Sequence, residues 1–219
     1  MFNINSILKR NNYEEDLYKK YGKANKIQQY NLKLLFLADT HNWLKNNSEV
    51  LNYIKKQNDY DCCILLGDHS ASDLEEILNI ISLNKICGVL GNHDSWKKYD
   101  DYGITDINGK IINVNGVRIA GMSGSFKYKS SNEYVLYTHE ESIEIANNME
   151  NADILVTHDK PFISDNHNPA HDGLKGITEY IYKNHIAIHI HGHLHEEKEE
   201  ILKNGTKSIC LYMAKLVEL

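Results

Sequence analysis

Three short apolar runs, each closing on an aspartate, constrain this chain more than any other feature. LKLLFLAD ends at Asp39, DCCILLGD at Asp68 and KICGVLGNHD at Asp94. Continuous apolar runs of this length, rich in Ile, Leu and Cys, read as strands buried on both faces. Helical patterns near Ser48–Gln57 and Leu74–Leu83 separate them, which is the alternation of βαβ units. The polar residues then fall where open α/β sheets collect their ligands, at the carboxyl ends of the strands.

The remaining chain extends the same pattern. Lys110–Ser123 predicts a hairpin around Asn115-Gly116 and the start of a second sheet. Thr138 and Glu141 have capping-box spacing, so a helix is expected to about Met149. ADILVTHD and IAIHIHGHLH read as two further strands ending in histidines, with a helix near Leu174–Lys183 between them. Asn204-Gly205 predicts a closing hairpin within Glu197–Leu219. At the other end, Ile4, Ile7, Leu8, Leu17, Tyr18 and Tyr21 recur at three- and four-residue steps, predicting one or two amphipathic helices. The expected organisation is an N-terminal helical extension, residues 1–31, and a domain over residues 32–219.

Charge narrows the partners. With 24 basic against 30 acidic residues the net charge is −6, which disfavours long nucleic acid and anionic membranes. A small anionic substrate stays compatible, because bound cations can supply local positive charge. No signal-peptide core and no stretch of ~20 apolar residues is present. Together with Cys62, Cys63, Cys87 and Cys210, read as structural thiols without CxxC pairing, this predicts a cytoplasmic protein. Oligomeric state is left open.

Twelve histidines stand in the chain, most beside Asp, Asn or Gly in its second half. Five clusters lie in order at the expected strand ends: Asp39-Thr40-His41, Gly67-Asp68, Gly91-Asn92-His93-Asp94, Thr157-His158-Asp159 and Gly192-His193-Leu194-His195. Each alone is weak. Jointly they hold more carboxylate, imidazole and amide ligands than one four-coordinate ion uses, which argues for two metals sharing a carboxylate. The i, i+2 spacing of Asp39 with His41, and of His193 with His195, places each pair on one side of an extended backbone.

This ordered set resembles the calcineurin-like metallophosphoesterase family over Leu32–His195. The motifs DxH, GD, GNH with a following acid, a single His after a strand, and GHxH are all present. The resemblance implies a mixed α/β fold, a β-sandwich of mixed sheets flanked by helices (αββα). It implies that Asp39, His41, Asp68 and His195 hold one divalent metal ion and that Asp68, Asn92, His158 and His193 hold the second. His93 would face the substrate and protonate or stabilise the leaving oxygen, with Asp94 orienting it. Two divalent ions are then the cofactors; the N/O donor set suits Mn²⁺, Fe, Zn²⁺ or Ni²⁺ over Ca²⁺, and Mn²⁺ is the choice for assay.

The implied activity is hydrolysis of a phosphate mono- or diester by attack of a metal-bridging hydroxide. The substrate would be a small phosphorylated metabolite, a nucleotide or a phosphoprotein. A serine/threonine phosphatase and a cyclic-nucleotide phosphodiesterase are alternatives within the family, and a non-catalytic metal-binding scaffold is one outside catalysis. Two positions depart from the common family pattern: Ala71 where many members have an acid, and Asn42 where many have glycine. Outside the candidate set, His189 and His191 read as strand residues and His69 as a bystander. His167, His171, Lys127 and Lys129 read as loop residues.

Overall fold

A computed structural model describes residues 4–162 and 169–219, with side chains from Tyr13 onward along the first helix. His167 and the side chains of Ile4, Ile7 and Leu8 lie outside the described residues. The first half of the chain runs α1 (Ile4–Tyr21), β1 (Lys33–Ala38), α2 (Ser48–Lys56), β2 (Cys62–Leu65), α3 (Ala71–Ile80), β3 (Ile86–Gly88), α4 (Lys98–Tyr102) and β4 (Thr105–Asp106). The second runs β5 (Ile111–Val114), β6 (Val117–Met122), β7 (Ser125–Phe126), β8 (Leu136–Tyr137), α5 (His139–Asn148), β9 (Ile154–Thr157), α6 (Lys175–Lys183), β10 (Ile188–His191), β11 (Lys198–Ile201), β12 (Lys207–Cys210) and β13 (Met213–Glu218). No helix among the described residues is long and apolar enough to cross a membrane.

Two mixed sheets form, in the orders β13-β1-β2-β3-β4 and β11-β12-β10-β9-β6-β5. Strands β1 to β4 run parallel, as do β6, β9, β10 and β12. Successive side chains of a strand point to opposite faces, and both faces here are covered. Leu34 and Phe36 of β1 join Ile64, Ile119, Ile154, Val156, Ile188 and Ile190 in the core between the sheets. Leu35 and Leu37 turn the other way and meet Ile54 of α2 and Leu74 and Ile77 of α3, while Leu155 of β9 meets Ile177 and Ile181 of α6. The layers are therefore helix, sheet, sheet, helix, the mixed αββα arrangement expected.

Local signals explain the helix starts. Asn47 accepts the Val50 N–H ahead of α2, and Ser70 accepts the Asp73 N–H ahead of α3, so α3 begins three residues before the expected Leu74. Thr138 and Glu141 make the full capping box of α5. Helix α1 is tied to α6 and its flank: the Tyr13 hydroxyl donates to Glu179, 2.7 Å, and the Tyr182 hydroxyl donates to Glu14, 2.6 Å.

The closing hairpin is only half as expected. β11 and β12 pair antiparallel around Asn204-Gly205, but β13 leaves that sheet and pairs antiparallel with β1 in the other. An Asn-Gly turn specifies the two strands it joins and not the sheet entered by the next one. Here the free edge of β1 takes it, which covers an otherwise open strand edge.

Candidate metal centre

All five clusters lie just beyond the carboxyl ends of β1, β2, β3, β9 and β10, at one end of the sandwich. Backbone bonds tie them together. The Asp39 N–H donates to Gly67 O, the His41 N–H to Asp68 O and the Gly192 N–H to His158 O. Two bonds cross between the sheets: the His193 N–H donates to Asp39 Oδ2 at 2.8 Å, and His158 Nδ1 donates to Leu66 O at 2.6 Å.

The extended-backbone expectation for the DxH and HxH pairs is corrected. Asp39, His41, Asn42, Asp68, His193 and His195 all have positive φ, between 42° and 71°. They are six of the ten such non-glycine residues among those described. Asp, Asn and His adopt this left-handed region more readily than other side chains. Its cost, of order 1–3 kcal/mol for strained positions, persists where the surroundings over-determine the turn. Ligand pairs are thus brought together by tight turns at the strand ends and not by strand alternation.

The ring nitrogens and carboxylate oxygens converge. Asp39, His41 and His195 offer atoms all within 4.8 Å of one another, and so do Asp39, Asp68 and His158. Nε2 of His41 stands 3.0 Å from Nε2 of His195. Asp68 Oδ2 is 3.6 Å from Nε2 of both His41 and His158, so one oxygen lies between the two imidazole sets. Asp39 Oδ1 is buried without a hydrogen-bond partner and faces His195 Nε2 at 3.6 Å.

These contacts fit divalent cations. His158 donates through Nδ1, so in its neutral form the ring turns an Nε2 lone pair toward Asn92 Oδ1, 2.8 Å away. Two acceptors at that distance need a cation or an extra proton near both. Donors bound to one ion at about 2.1 Å stand about 3 Å apart in an octahedral shell, which is the His41–His195 and His158–Asn92 separation. His193 donates Nε2–H to Ala170 O at 2.7 Å, which leaves Nδ1 as its lone-pair nitrogen; its ring centroid lies 4.9 Å from that of His158.

Electrostatics point the same way. Burial pushes the Asp68 carboxyl up to about 7, with Asp94 and Asp39 adding to the rise against the opposing pull of His158. Burial would raise Asp39 too, but His195, His158 and the His193 N–H hold it below its ordinary value. Asp94 has its own cation, Lys98 at 2.5 Å. Among the described residues, the ion-pair partners of Asp39 and Asp68 are histidines, with no lysine or arginine in reach.

Asp94 departs from the expected role. Its carboxylate accepts the N–H groups of Asp68 and Gly91, both at 2.8 Å, and the Lys98 ammonium; no described hydrogen bond joins it to the His93 ring. It clamps the ends of β2 and β3 together. His93 donates its backbone N–H to Asp68 Oδ1 at 2.8 Å and stands exposed at the cleft, its ring 5.5 Å from that of His41. The cleft, of about 220 Å³, is lined by His41, Asn42, Asp68, His69, Ser70, His93, Asp94 and Lys98. A larger cavity of about 670 Å³ beside β12 and β13 includes none of the candidate ligands; chemistry, not volume, decides which one matters.

Sequence reasoning missed Asp73. Ser70-Ala71-Ser72-Asp73 reads as a helix-capping sequence, and the Ser70 side chain does cap α3. The buried Asp73 carboxylate instead reaches the DxH turn, accepting the Thr40 hydroxyl at 2.8 Å and the N–H groups of Asn42 at 2.6 Å and Leu44 at 3.1 Å. Thr40 in turn contacts His69 Nδ1 at 2.8 Å, so His69 belongs to the support of the turn. Asp73→Ala is expected to weaken Mn²⁺ binding roughly 10- to 100-fold, the range for residues that hold ligands in place. Isothermal titration checks this, and unchanged affinity would show that the turn holds without it.

A family model of the calcineurin-like phosphoesterase superfamily domain matches residues 32–209. The chain belongs to that superfamily. No curated protein matches it significantly. Among solved structures, the superfamily fold is shared with phosphopantetheinyl hydrolase from Mycobacterium tuberculosis, at 13% identity and TM-score 0.59, over 87% of this chain and 97% of that one. A 5'-nucleotidase from Candida albicans is similar at 12% identity and TM-score 0.55, over 87% of this chain and 47% of its own. A dimetal phosphatase from Danio rerio gives 13% and 0.50, over 84% and 88%. At these identities the likeness is one of fold.

Proposed function

We propose that this calcineurin-like phosphoesterase hydrolyses phosphate esters with two divalent cations. The observation that carries the reading is the pairing of donors on either side of Asp68: His41 with His195 at 3.0 Å, and His158 with Asn92 at 2.8 Å. Asp39, His41, Asp68 and His195 would hold one cation, and Asp68, Asn92, His158 and His193 the other. Divalent ions so held supply an activated water at neutral pH and charge stabilisation for the phosphoryl oxygens.

The chain's own residues set the rest. Two carboxylates among otherwise neutral ligands subtract two charges from two divalent cations, so the centre attracts a phosphate anion although the protein carries −6. His93, at the open side of the cleft, hydrogen-bonds the leaving oxygen. Asp94 and Lys98 hold the Asp68 and Gly91 backbone beneath it. A small phosphorylated metabolite, a nucleotide or a phosphoprotein side chain reaches such a shallow, open cleft.

The test is hydrolysis of p-nitrophenyl phosphate and bis-p-nitrophenyl phosphate by chelator-stripped protein, with and without Mn²⁺. Turnover of at least one ester is expected to return with the metal. Silence on both with metal bound would overturn the catalytic reading in favour of a metal-binding scaffold.

A further inference from the structure

The segment between β7 and β8 carries two tyrosines, Tyr128 and Tyr134, and two lysines, Lys127 and Lys129, with no role in the centre described so far. It is fixed to both halves of the site. At one end, the Phe126 N–H donates to Asp159 Oδ2, 3.1 Å, beside His158. At the other, Tyr134 forms an antiparallel bridge with Ser95, two residues after His93. In between, the Tyr128 hydroxyl lies 3.4 Å from Nδ2 of Asn92, whose oxygen faces His158.

Lys129 sits on this shelf. Its Nζ is 4.0 Å from the Tyr134 ring centroid and 5.3 Å from that of Tyr128. The same Tyr134 ring stands 6.4 Å from the His93 ring, edge to face. Among the described residues no carboxylate lies within ion-pair distance of Lys129, whereas Lys33, Lys98, Lys203, Lys207 and Lys215 all have one. A half-exposed cation resting on aromatic faces is held more weakly than one hydrogen-bonded to an anion. It is therefore ready to exchange the rings for a negative group arriving beside His93.

We infer that Lys129, carried by the Tyr128–Tyr134 shelf, selects substrates that bear a second anionic group on the leaving side of the phosphate ester. The inference rests on the phosphoesterase reading and adds the substrate class. The shelf is pinned next to His93, where the leaving group departs, so the second charge belongs to the alcohol or phenol portion and not to the transferred phosphate. A carboxylate or a further phosphate satisfies the same chemistry. The tyrosine faces accept a flat or aliphatic body between the two charges.

The experiment compares phenyl phosphate with phenyl phosphate bearing a para carboxylate, using Mn²⁺-loaded wild type, Lys129→Gln and Lys127→Gln. Wild type is expected to prefer the carboxylated ester in kcat/KM by on the order of tenfold, the factor that one charge-assisted hydrogen bond supports. In Lys129→Gln that ratio falls toward one, mainly through KM, with metal content equal to wild type. Lys127→Gln keeps the ratio, since Lys127 makes no contact with the shelf rings among the described interactions. Turnover of both esters without preference, or a preference that survives Lys129→Gln, overturns the inference while leaving the phosphoesterase reading intact. No turnover of either ester by metal-loaded wild type removes that reading, and this inference with it.

Discussion

Asp68→Asn is expected to abolish binding of both metal ions, not of one. A single oxygen, Oδ2, lies 3.6 Å from Nε2 of His41 and 3.6 Å from Nε2 of His158, the imidazoles assigned to the two ions. The amide keeps the shape and removes the charge. The loss should exceed the roughly 10- to 100-fold that follows when only a supporting residue is removed. The metal-free protein should respond in the opposite sense. Its Asp68 carboxyl is raised to about 7, chiefly by burial. A carboxyl raised on folding destabilises the fold once pH exceeds its unfolded value, and the penalty is fully present above the folded one. At pH 8 with chelator, Asp68→Asn should therefore unfold at a temperature no lower than wild type, and adding Mn²⁺ should raise the midpoint of wild type alone. Metal analysis and thermal unfolding read both effects. Two metals retained per variant chain would refute the bridging role.

Much of this was legible because fully buried parallel strands leave an unambiguous trace. Leu34 to Leu37 and Cys62 to Leu65 are apolar at every position, since one set of side chains meets the opposite sheet and the alternate set meets α2 and α3. Asp39 and Asp68 stand out for a related reason: each lies within three residues of the end of such a run, whereas His193 and His195 follow β10, whose buried His189 and His191 interrupt the apolar pattern. Topology then does what spacing cannot, gathering residues from Asp39 to His195 at one end of two parallel strand sets.

What was not legible depends on contacts distant in sequence. Asp73 has the local appearance of a capping residue, and only the approach of the DxH turn turns its carboxylate into the anchor of Thr40, Asn42 and Leu44. Asp94 follows His93 directly, yet its carboxylate points at the backbone of Asp68 and Gly91, whose N–H groups share Oδ2 while Lys98, four residues on, takes Oδ1. The Lys129 shelf reads as a polar loop until the Tyr134–Ser95 bridge places it beside His93. The switch of β13 to the other sheet has no local signal either, since the free edge of β1 exists only after the first sheet has formed.

Gly91→Ala carries the second large effect, and it separates shape from charge. A Cβ at Gly91 would stand 2.1 Å from Asp68 Oδ1 and 2.6 Å from both the Asp68 carboxylate carbon and its backbone nitrogen. Across the contact, a Cβ at Gly67 would lie 2.3 Å from the Gly91 nitrogen. The ends of β2 and β3 thus meet with no space for a methyl group, and the atoms in the way are backbone or a carboxylate that is itself held by the His93 N–H. Overpacking of this kind costs about 1–3 kcal/mol, and relief requires Asp68 to move away from the imidazoles. Gly91→Ala is therefore expected to lose metal binding as fully as Asp68→Asn while also lowering the urea midpoint in chelator, where Asp68→Asn does not. Gly116→Ala is the comparison: its φ of 88° makes an alanine strained, but nothing lies within 4 Å of the added methyl. That variant should lose about 1 kcal/mol of stability and bind metal as wild type does. Urea unfolding and Mn²⁺ titration of the three variants give the pattern, and normal metal affinity in Gly91→Ala would mean that the Asp68 carboxylate is not where the centre needs it.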